Sequence, residues 1–525
     1  MIARTGANRA SVAVAAPALV VGAAALLPVG YLVLRALDGD VADVVTDRRT
    51  LDLIWRTALL TGAVTAACLL LGVALAILTT RTDLPGRRTL SVLLAIPLVV
   101  PTFVGAFTFV AAFAPGGLVA EWAESFGIGV PSPYGFWGAF LSLTLFTYPY
   151  VLLTVQSALR GMDPSLEEAS RMLGADSRET LRRVVLPQLR PAAAAGSLLV
   201  SLYVLSDFGA VSLLRYSTFT RAIYIQYQSA FDRTPAAILG LLLVTLTVGV
   251  LVVEARLGRD RGGQFRGRSS RFNAPDRPAL ELGRWRWVAF AGCTLVLVAA
   301  LAAPILVMGT WLVRGAAQGE SFGFLWGAAW NSVRGSLLGA VAAVAAALPV
   351  SIWAARHPGR LSRLTERATF AGYALPGIVV ALSLVFFGIR VAEPLYQTTT
   401  MLVFAYVVLF LPQAVGAIRT TLMQVPSHTE EAARLLGSRP LGVALRVLVP
   451  LARRGMTAGG ALVFLTVMKE LPATLLLAPI GFDTLATRVW SATNDAFFAR
   501  AAAPALLLLV LGGLPLAVLT LRRQD

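Results

Sequence analysis

The sequence predicts an all-α integral membrane protein with about twelve transmembrane helices, arranged as two parallel six-helix repeats. Hydrophobic residues make up 57% of the 525 residues and charged residues only 14%, whereas soluble domains are nearer half apolar and a quarter charged. Apolar runs of about 18 residues or more recur along the chain, which suits membrane helices and is too long for barrel strands. A polar window also occurs twice at a fixed offset. Together these observations define the fold class.

The apolar runs predict twelve spans in chain order. They are 12–36, 52–80, 89–113, 135–160, 191–213, 234–256, 287–313, 327–355, 369–391, 397–422, 454–478 and 500–521. The first run exceeds the roughly 7–15 apolar residues of a signal peptide, so we interpret it as a membrane helix.

The distribution of charge between the spans predicts their orientation. Segments 81–88 and 356–367 are rich in arginine, whereas segment 38–47 contains four aspartates. Short arginine-rich loops stay in the cytoplasm. We therefore expect both termini, and both copies of the polar window, on the cytoplasmic side.

The remaining composition excludes several function classes. The net charge of +17 could suggest nucleic-acid binding, but the arginines flank membrane helices, so we expect a lipid bilayer and no nucleic acid as partner. The two cysteines lie in apolar segments and the two histidines are far apart, so no cofactor or metal site is predicted. The single lysine, Lys469, follows no glycine-rich turn. The chain therefore lacks a P-loop, and we expect it not to be an enzyme.

The repeat extends over most of the chain. Windows beginning at Ser165 and His428 lie 263 residues apart and are identical at nine of 23 positions. Upstream the offset is 275 residues, as between Pro101 and Pro376. Since six spans per copy is an even number, both copies enter the membrane in the same direction, as in transporters with parallel repeats.

Each polar window reads as a short capped helix followed by a second helical stretch. In the first copy Asp163 or Ser165 can be the N-cap, and Pro164 suits the first helical position. In the second copy Ser427 and Glu430 have the spacing of a capping box.

Charges and helix breakers support the same interpretation. Glu167–Glu168 and Glu430–Glu431 place negative charge at the positive end of the helix dipole. Gly174 and Gly437 suit a left-handed terminating position. Pro187 and Pro450 mark the end of the second stretch, just before the next span.

This window resembles the cytoplasmic EAA loop of ABC importer permeases. The family pattern is Glu-Ala-Ala, three residues, Gly, nine residues and Ile-x-Leu-Pro. The matching residues are Glu168, Ala169, Gly174, Leu186 and Pro187 in one copy, and Glu431, Ala432, Ala433, Gly437 and Pro450 in the other. The departures are Ser170, Val184, Val447 and Val449, all small or conservative changes.

The resemblance implies a function and partners. In that family the loop forms a coupling helix that docks on a dimer of ATPase subunits, and an extracytoplasmic binding protein delivers the substrate. ATP hydrolysis then lies in a separate subunit, and the permease is a multi-pass protein of the bacterial cytoplasmic (inner) membrane. The implied domains are 1–50 (first span and external loop), 51–256 (first permease domain), 257–286 (arginine-rich cytoplasmic linker), 287–326 (seventh span and external loop) and 327–525 (second permease domain).

Ionisable residues within spans are candidates for a substrate pathway. Lys469 and Glu470 lie in one apolar run, and Asp207 lies at the equivalent place in the other copy. Such residues are costly in a membrane and mark functional sites by default. Tyr203 is a further candidate with an oxygen ligand. The alternative interpretation is a Lys–Glu pair, or a carboxylate that is satisfied locally near a helix end.

The substrate is predicted by resemblance alone. The stretch from Lys469 to Trp490 and the fused twelve-span layout resemble iron(III) and thiamine importer permeases, with the iron(III) group nearer. Thiamine, phosphonate and other small solutes stay open within this class. A secondary transporter with parallel halves is the alternative class.

Overall fold

The computed structural model describes residues 2–229, 233–259 and 280–521. These ranges are built almost wholly from α-helices, which confirms the predicted fold class. The first half contains α1 (Ile2–Ala36), α2 (Val41–Thr46), α3 (Arg48–Arg81), α4 (Arg87–Leu93), α5 (Thr102–Phe113), α6 (Leu118–Glu124), α7 (Phe136–Arg160), α8 (Pro164–Met172), α9 (Ser177–Thr180), α10 (Leu186–Ser206), α11 (Gly209–Leu213), α12 (Phe219–Ser229) and α13 (Thr234–Arg259).

The second half repeats this order after its own first helix. It contains α14 (Arg286–Leu297), α15 (Ala303–Ala317), α16 (Phe324–Arg356), α17 (Arg360–Ala374), α18 (Gly377–Arg390), α19 (Thr399–Met423), α20 (His428–Leu435), α21 (Pro440–Val443), α22 (Val449–Met468), α23 (Pro472–Leu477), α24 (Leu485–Asn494) and α25 (Phe498–Leu521). Within the described ranges, ten helices are long and apolar enough to cross a membrane, and the bent pair of α17 and α18 makes eleven. The twelfth predicted span falls on α25.

Two predicted spans, 89–113 and 369–391, are wrong as single helices. The first is interrupted between α4 and α5, and the second bends by 101° between α17 and α18. Proline disfavours the helical conformation of the residue before it. Accordingly, Val100 and Leu375 are extended, with ψ of 119° and 117°, ahead of Pro101 and Pro376.

The predicted spans 191–213 and 454–478 are also interrupted. Helix α10 ends at Ser206 and α22 ends at Met468, each before a short helix, α11 or α23. Asp207, Lys469 and Glu470 therefore lie at helix breaks, which corrects the expectation that they lie within continuous spans.

The first helix of each half makes contacts in both halves. Helix α1 contacts α13 of the first half and α16, α17 and α18 of the second. Its Pro28 carbonyl accepts a hydrogen bond of 2.6 Å from the Ser383 hydroxyl. Helix α15 packs on α5 and α25, and its Trp311 indole donates to the Ala111 carbonyl at 3.0 Å. The two hydrophobic cores are therefore shared between the halves.

The connection between the halves ends on the first half. The predicted linker 257–286 falls mostly on residues 260–279, outside the described ranges. Immediately after them, Leu280 forms an isolated parallel bridge with Thr82, and the Leu282 amide donates to the Asp83 carboxylate at 2.8 Å. This end of the connection is therefore held at the end of α3, beside α8.

Candidate functional site

The first polar window folds into the capped helix that the sequence predicts. Asp163 is the N-cap of α8 and accepts a hydrogen bond of 2.9 Å from the Ser165 amide, with Pro164 at the first helical position. The hydrogen bond from Ser165 lowers the pKa of Asp163, which favours the charged form. Gly174 ends the helix with a φ of +89°, a conformation that costs glycine little.

The second polar window has the same helix but a different start. Gly437 has a φ of +83°, as predicted for the terminating position. The predicted capping box of Ser427 and Glu430 is wrong, because the Ser427 side chain makes no capping hydrogen bond at this described helix start. The Glu430 side chain instead pairs with Arg356.

A buried ion pair fixes each short helix to the end of a long one. Arg81 of α3 lies 2.9 Å from Glu167, and Arg356 of α16 lies 2.5 Å from Glu430. All four side chains are at most 15% exposed. The pairs are equivalent under the repeat, since Arg81 and Arg356 are 275 residues apart and the glutamates 263. The two short helices are therefore positioned alike.

The outer surface of each short helix is exposed. Glu168, Ala169, Glu431 and Ala432 all face solvent. At the end of each helix two large apolar side chains are also almost fully exposed, namely Met172 (88%), Leu173 (89%), Leu435 (88%) and Leu436 (87%). The sequence reasoning missed these four, although each pair directly precedes the terminating glycine. We call these four residues the apolar tips.

Pro187 and Pro450 do not end the second helical stretch, contrary to the prediction. The chain runs as one apolar helix over 177–206, and again over 441–468. A π-helical turn at Leu181–Val185 or Ala444–Leu448 precedes each proline. Proline has no backbone N–H to donate to the preceding turn, and its ring clashes with a carbonyl of that turn. The wider π-helical turn makes room for the ring. Each polar loop is thus joined to a span by continuous helix.

The candidate pathway residue Asp207 lies at the first helix break, and Tyr203 lies one turn before it. The Asp207 carboxylate caps α11, accepting from the Ala210 amide at 3.0 Å. It also accepts from the Thr102 hydroxyl at 2.5 Å, and this hydroxyl lies 3.2 Å from the Tyr203 hydroxyl. Thr102 begins α5, so the breaks in two predicted spans meet here.

Glu470 makes the equivalent cap at the second break. Its carboxylate accepts from the Ala473 amide at 3.1 Å. The position equivalent to Thr102 is Gly377, where an added Cβ would lie 2.8 Å from the Glu470 Oε1 atom. The longer carboxylate therefore fills the space that the threonine side chain occupies in the first half.

Lys469 connects the halves. Its Nζ atom donates to the Leu98 carbonyl at 3.4 Å, in the interrupted span of the first half. The structure thus brings Asp207, Tyr203 and Thr102 together and places Lys469 at a different contact. In the described ranges, no group of three or more His, Cys, Asp or Glu side chains is placed to hold a metal ion.

Comparison with known proteins identifies the family. The family model described as "Binding-protein-dependent transport system inner membrane component" matches residues 68–261 and 347–521. The chain is 32% identical over 515 residues to the Fe(3+)-transport system permease protein FbpB 2 of Haemophilus influenzae, covering 95% of this chain and 96% of that protein.

Two further relatives match shorter stretches. The sulfate transport system permease protein CysT of Escherichia coli is 30% identical over 197 residues, which are 36% of this chain and 70% of that protein. The molybdenum transport system permease protein ModB of Mycobacterium tuberculosis is 33% identical over 211 residues, covering 38% and 79%. With two matched segments, two repeated helix sets and two polar loops, the chain belongs to the family of inner membrane components of binding-protein-dependent transport systems.

Proposed function

We propose that this chain is the permease subunit of an ATP-driven importer that moves ferric iron into the cytoplasm. The observation that carries the proposal is the pair of equivalent polar loops, each anchored by a buried ion pair and ending in an exposed apolar tip. An extracytoplasmic binding protein delivers the substrate, and a dimer of ATPase subunits supplies the energy. Both termini and both loops then face the cytoplasm.

The coupling residues in this proposal divide into two groups. Glu167 and Glu430 hold each loop to its long helix, while Glu168, Glu431 and the apolar tips face outward. Exposed apolar side chains next to charges are typical of an interaction surface. The ATPase subunits therefore dock on the outward group. A movement of either loop passes into α10 or α22 through continuous helix.

Iron is favoured as the substrate by the extent of one similarity. The relative named for Fe(3+) transport aligns along nearly the whole chain, whereas the sulfate and molybdenum permeases align with less than half of it. We propose that Asp207, Glu470 and Tyr203 lie along the pathway and offer oxygen ligands to the passing ion. Lys469 connects the two halves beside this pathway. The domain limits drawn from the sequence stay a prediction.

The proposal is tested by assembly and uptake. The tagged chain is purified from mild detergent with its neighbouring gene products, and ATP-dependent uptake of radioactive ferric iron is measured in vesicles. We expect the ATPase to co-purify and uptake to stop when ATP is withheld. Uptake that survives without ATP but collapses with the proton gradient would establish a secondary transporter instead.

A charge reversal tests the docking surface directly. The double variant Glu168→Arg and Glu431→Arg should insert normally, because both side chains are exposed. It should lose ATPase binding and iron uptake, because both side chains lie on the proposed docking surface. The variant Glu124→Arg changes an exposed carboxylate elsewhere in the chain, with no ion-pair partner among the described residues, and should keep both activities. Normal ATPase binding by the double variant would rule out this surface.

A further inference from the structure

A cavity of about 190 Å³ lies between the two halves, on the face opposite the polar loops. Its walls come from α5, α11, α12 and α24, so both halves contribute. The Leu214 carbonyl beside it accepts from the Gly135 amide, at the start of α7, at 2.7 Å. Because α7 has 25 residues, the cavity and the polar loop at its other end are separated by about 37 Å at 1.5 Å per residue.

Two arginines line this cavity, and none of the described residues that line it is acidic. The Arg215 guanidinium lies 4.5 Å from the centre of the Tyr134 ring, and Arg221 donates to the Ser217 hydroxyl at 3.0 Å. Among the residues that the structure describes, neither arginine has a carboxylate partner. Since a guanidinium has five N–H donors, most of their donors have no partner among the described residues.

The fold itself does not require these two arginines. The Phe219 amide donates a hydrogen bond to the Thr57 hydroxyl, and the Leu485 amide donates one to the Ser332 hydroxyl. Since Thr57 and Ser332 are 275 residues apart, Phe219 corresponds to Leu485. Counting from this pair, the positions equivalent to Arg215 and Arg221 are Gly481 and Thr487. The charged pair is therefore specific to the first half.

The backbone at Arg215 carries a conformational cost. Its φ is +54°, in the left-handed region that side chains other than glycine rarely adopt. The equivalent Gly481 has a φ of +81°, so glycine would suit the turn better. Strained residues of this kind are typical of functional sites.

Further hydrogen-bonding groups face the same space. The Ser212 hydroxyl is buried and has no hydrogen-bond partner among the described residues. Gln228 and Asn494 add side-chain amides to the lining, from the first and second halves. Trp490 closes the second-half side, with its ring 4.9 Å from that of Phe208. The lining combines fixed positive charge with many donors, which is the chemistry that binds oxyanions.

We propose that this cavity binds a small oxyanion, carrying a phosphate or carboxylate group, between the two halves. The site is concave and lies at the junction of the halves, which favours a small ion over a lipid headgroup at the perimeter or a partner's acidic side chain. Resting on the proposed function, it has a clear role. On the proposed function this face is extracytoplasmic, and a bound anion neutralises two positive charges that would repel an approaching trivalent cation.

The test is direct binding of inorganic phosphate, and of succinate, to the purified full chain. Calorimetry in a maltoside detergent, at constant ionic strength set with chloride, requires neither iron nor ATP. Failure of the iron proposal therefore leaves the result intact. We expect saturable binding that Arg221→Gln weakens about tenfold, the typical effect of losing one charged hydrogen bond.

Two variants guard against loss of folding. Arg215→Gly reproduces the residue of the second half, so it should fold at least as well as the wild type and still lose phosphate affinity. Arg233→Gln removes a nearby arginine that stacks on Tyr227 outside the cavity, and it should bind normally.

Three results would overturn the proposal. The first is no saturable binding of either anion by a folded wild type. The second is a phospholipid that co-purifies with the wild type but not with the arginine variants, together with no phosphate binding by the wild type. This result would assign the cavity to a lipid. The third is ATP-dependent accumulation of phosphate in vesicles, which would make the anion cargo rather than a resident ligand.

Discussion

Replacing Glu430 with glutamine should release α20 from the end of α16. Glu430 and Arg356 are 2.5 Å apart, and their side chains are 8% and 13% exposed. Removing one partner of a buried pair costs about 3–5 kcal/mol, far more than for an exposed pair. Arg356 keeps a hydrogen bond of 3.0 Å to the Val425 carbonyl, so we expect the lower end, about 3 kcal/mol.

This free energy is measurable as local opening. A loss of about 3 kcal/mol raises the open population of the loop on the order of 10²-fold. Hydrogen–deuterium exchange of peptides spanning α20 should therefore accelerate by a similar factor in Glu430→Gln. The equivalent change Glu167→Gln should do the same to α8, since Arg81 also keeps a carbonyl partner, at Leu159.

The adjacent exposed glutamate provides the matched control. Glu431→Gln changes the same charge by the same atoms, but a surface substitution of this kind is typically within about 0.5 kcal/mol of neutral. Exchange in α20 should therefore stay at the wild-type rate. Equal protection in Glu430→Gln and Glu431→Gln would refute the idea that the buried pair anchors the loop.

Three other perturbations test the repeat, the loop region and the shared core. Gly377→Thr should lower the free energy of unfolding by about 1–3 kcal/mol through crowding of Glu470, and adding Glu470→Asp should restore it; a thermal melt of the single variant that matches the wild type would contradict this. Burial lowers the pKa of His357 from its ordinary value of 6.5. Below about pH 6.5 the folded protein therefore binds fewer protons than the unfolded chain, so the free energy of unfolding declines as the pH falls towards the lowered pKa of the folded state. His357→Gln should flatten that part of a melting-temperature series against pH, and an unchanged slope would exclude His357 as its source. Trp311→Phe should lower the free energy of unfolding by about 1 kcal/mol, because the Ala111 carbonyl loses its hydrogen-bond donor. A thermal melt in detergent would detect this change, and an unshifted midpoint would contradict it.

The sequence contained enough to predict the membrane class, the repeat and the polar loops. Hydropathy depends on composition, so it locates apolar runs well, and Gly174 and Gly437 mark helix ends through a local backbone preference. The same measure cannot detect an interruption inside an apolar run, because two half-helices are as apolar as one. Pro101 and Pro376 were visible signals of those interruptions.

The remaining features depend on tertiary contacts. Nothing local distinguishes Glu167 from Glu168, and only the position of Arg81 makes one buried and the other exposed. The roles of Asp207 and Glu470 as helix caps likewise require the breaks to be known first. Their proximity to Thr102 and Gly377 arises from segments about 100 residues away, which no periodicity records.

The packing of α1 on the second half has a consequence for biosynthesis. The face of α1 that packs on the second half includes Ala18 and Ala25, both at most 1% exposed, and its partners there begin at Phe324. At about 5–20 residues per second, the ribosome needs roughly 15–60 s to reach those partners. During that interval α13 can already pack on α1, but the face that carries Ala18 and Ala25 must rest against lipid. The first helix to be made is thus among the last to be fully packed, and premature release of a half-length chain would leave one face of it uncovered.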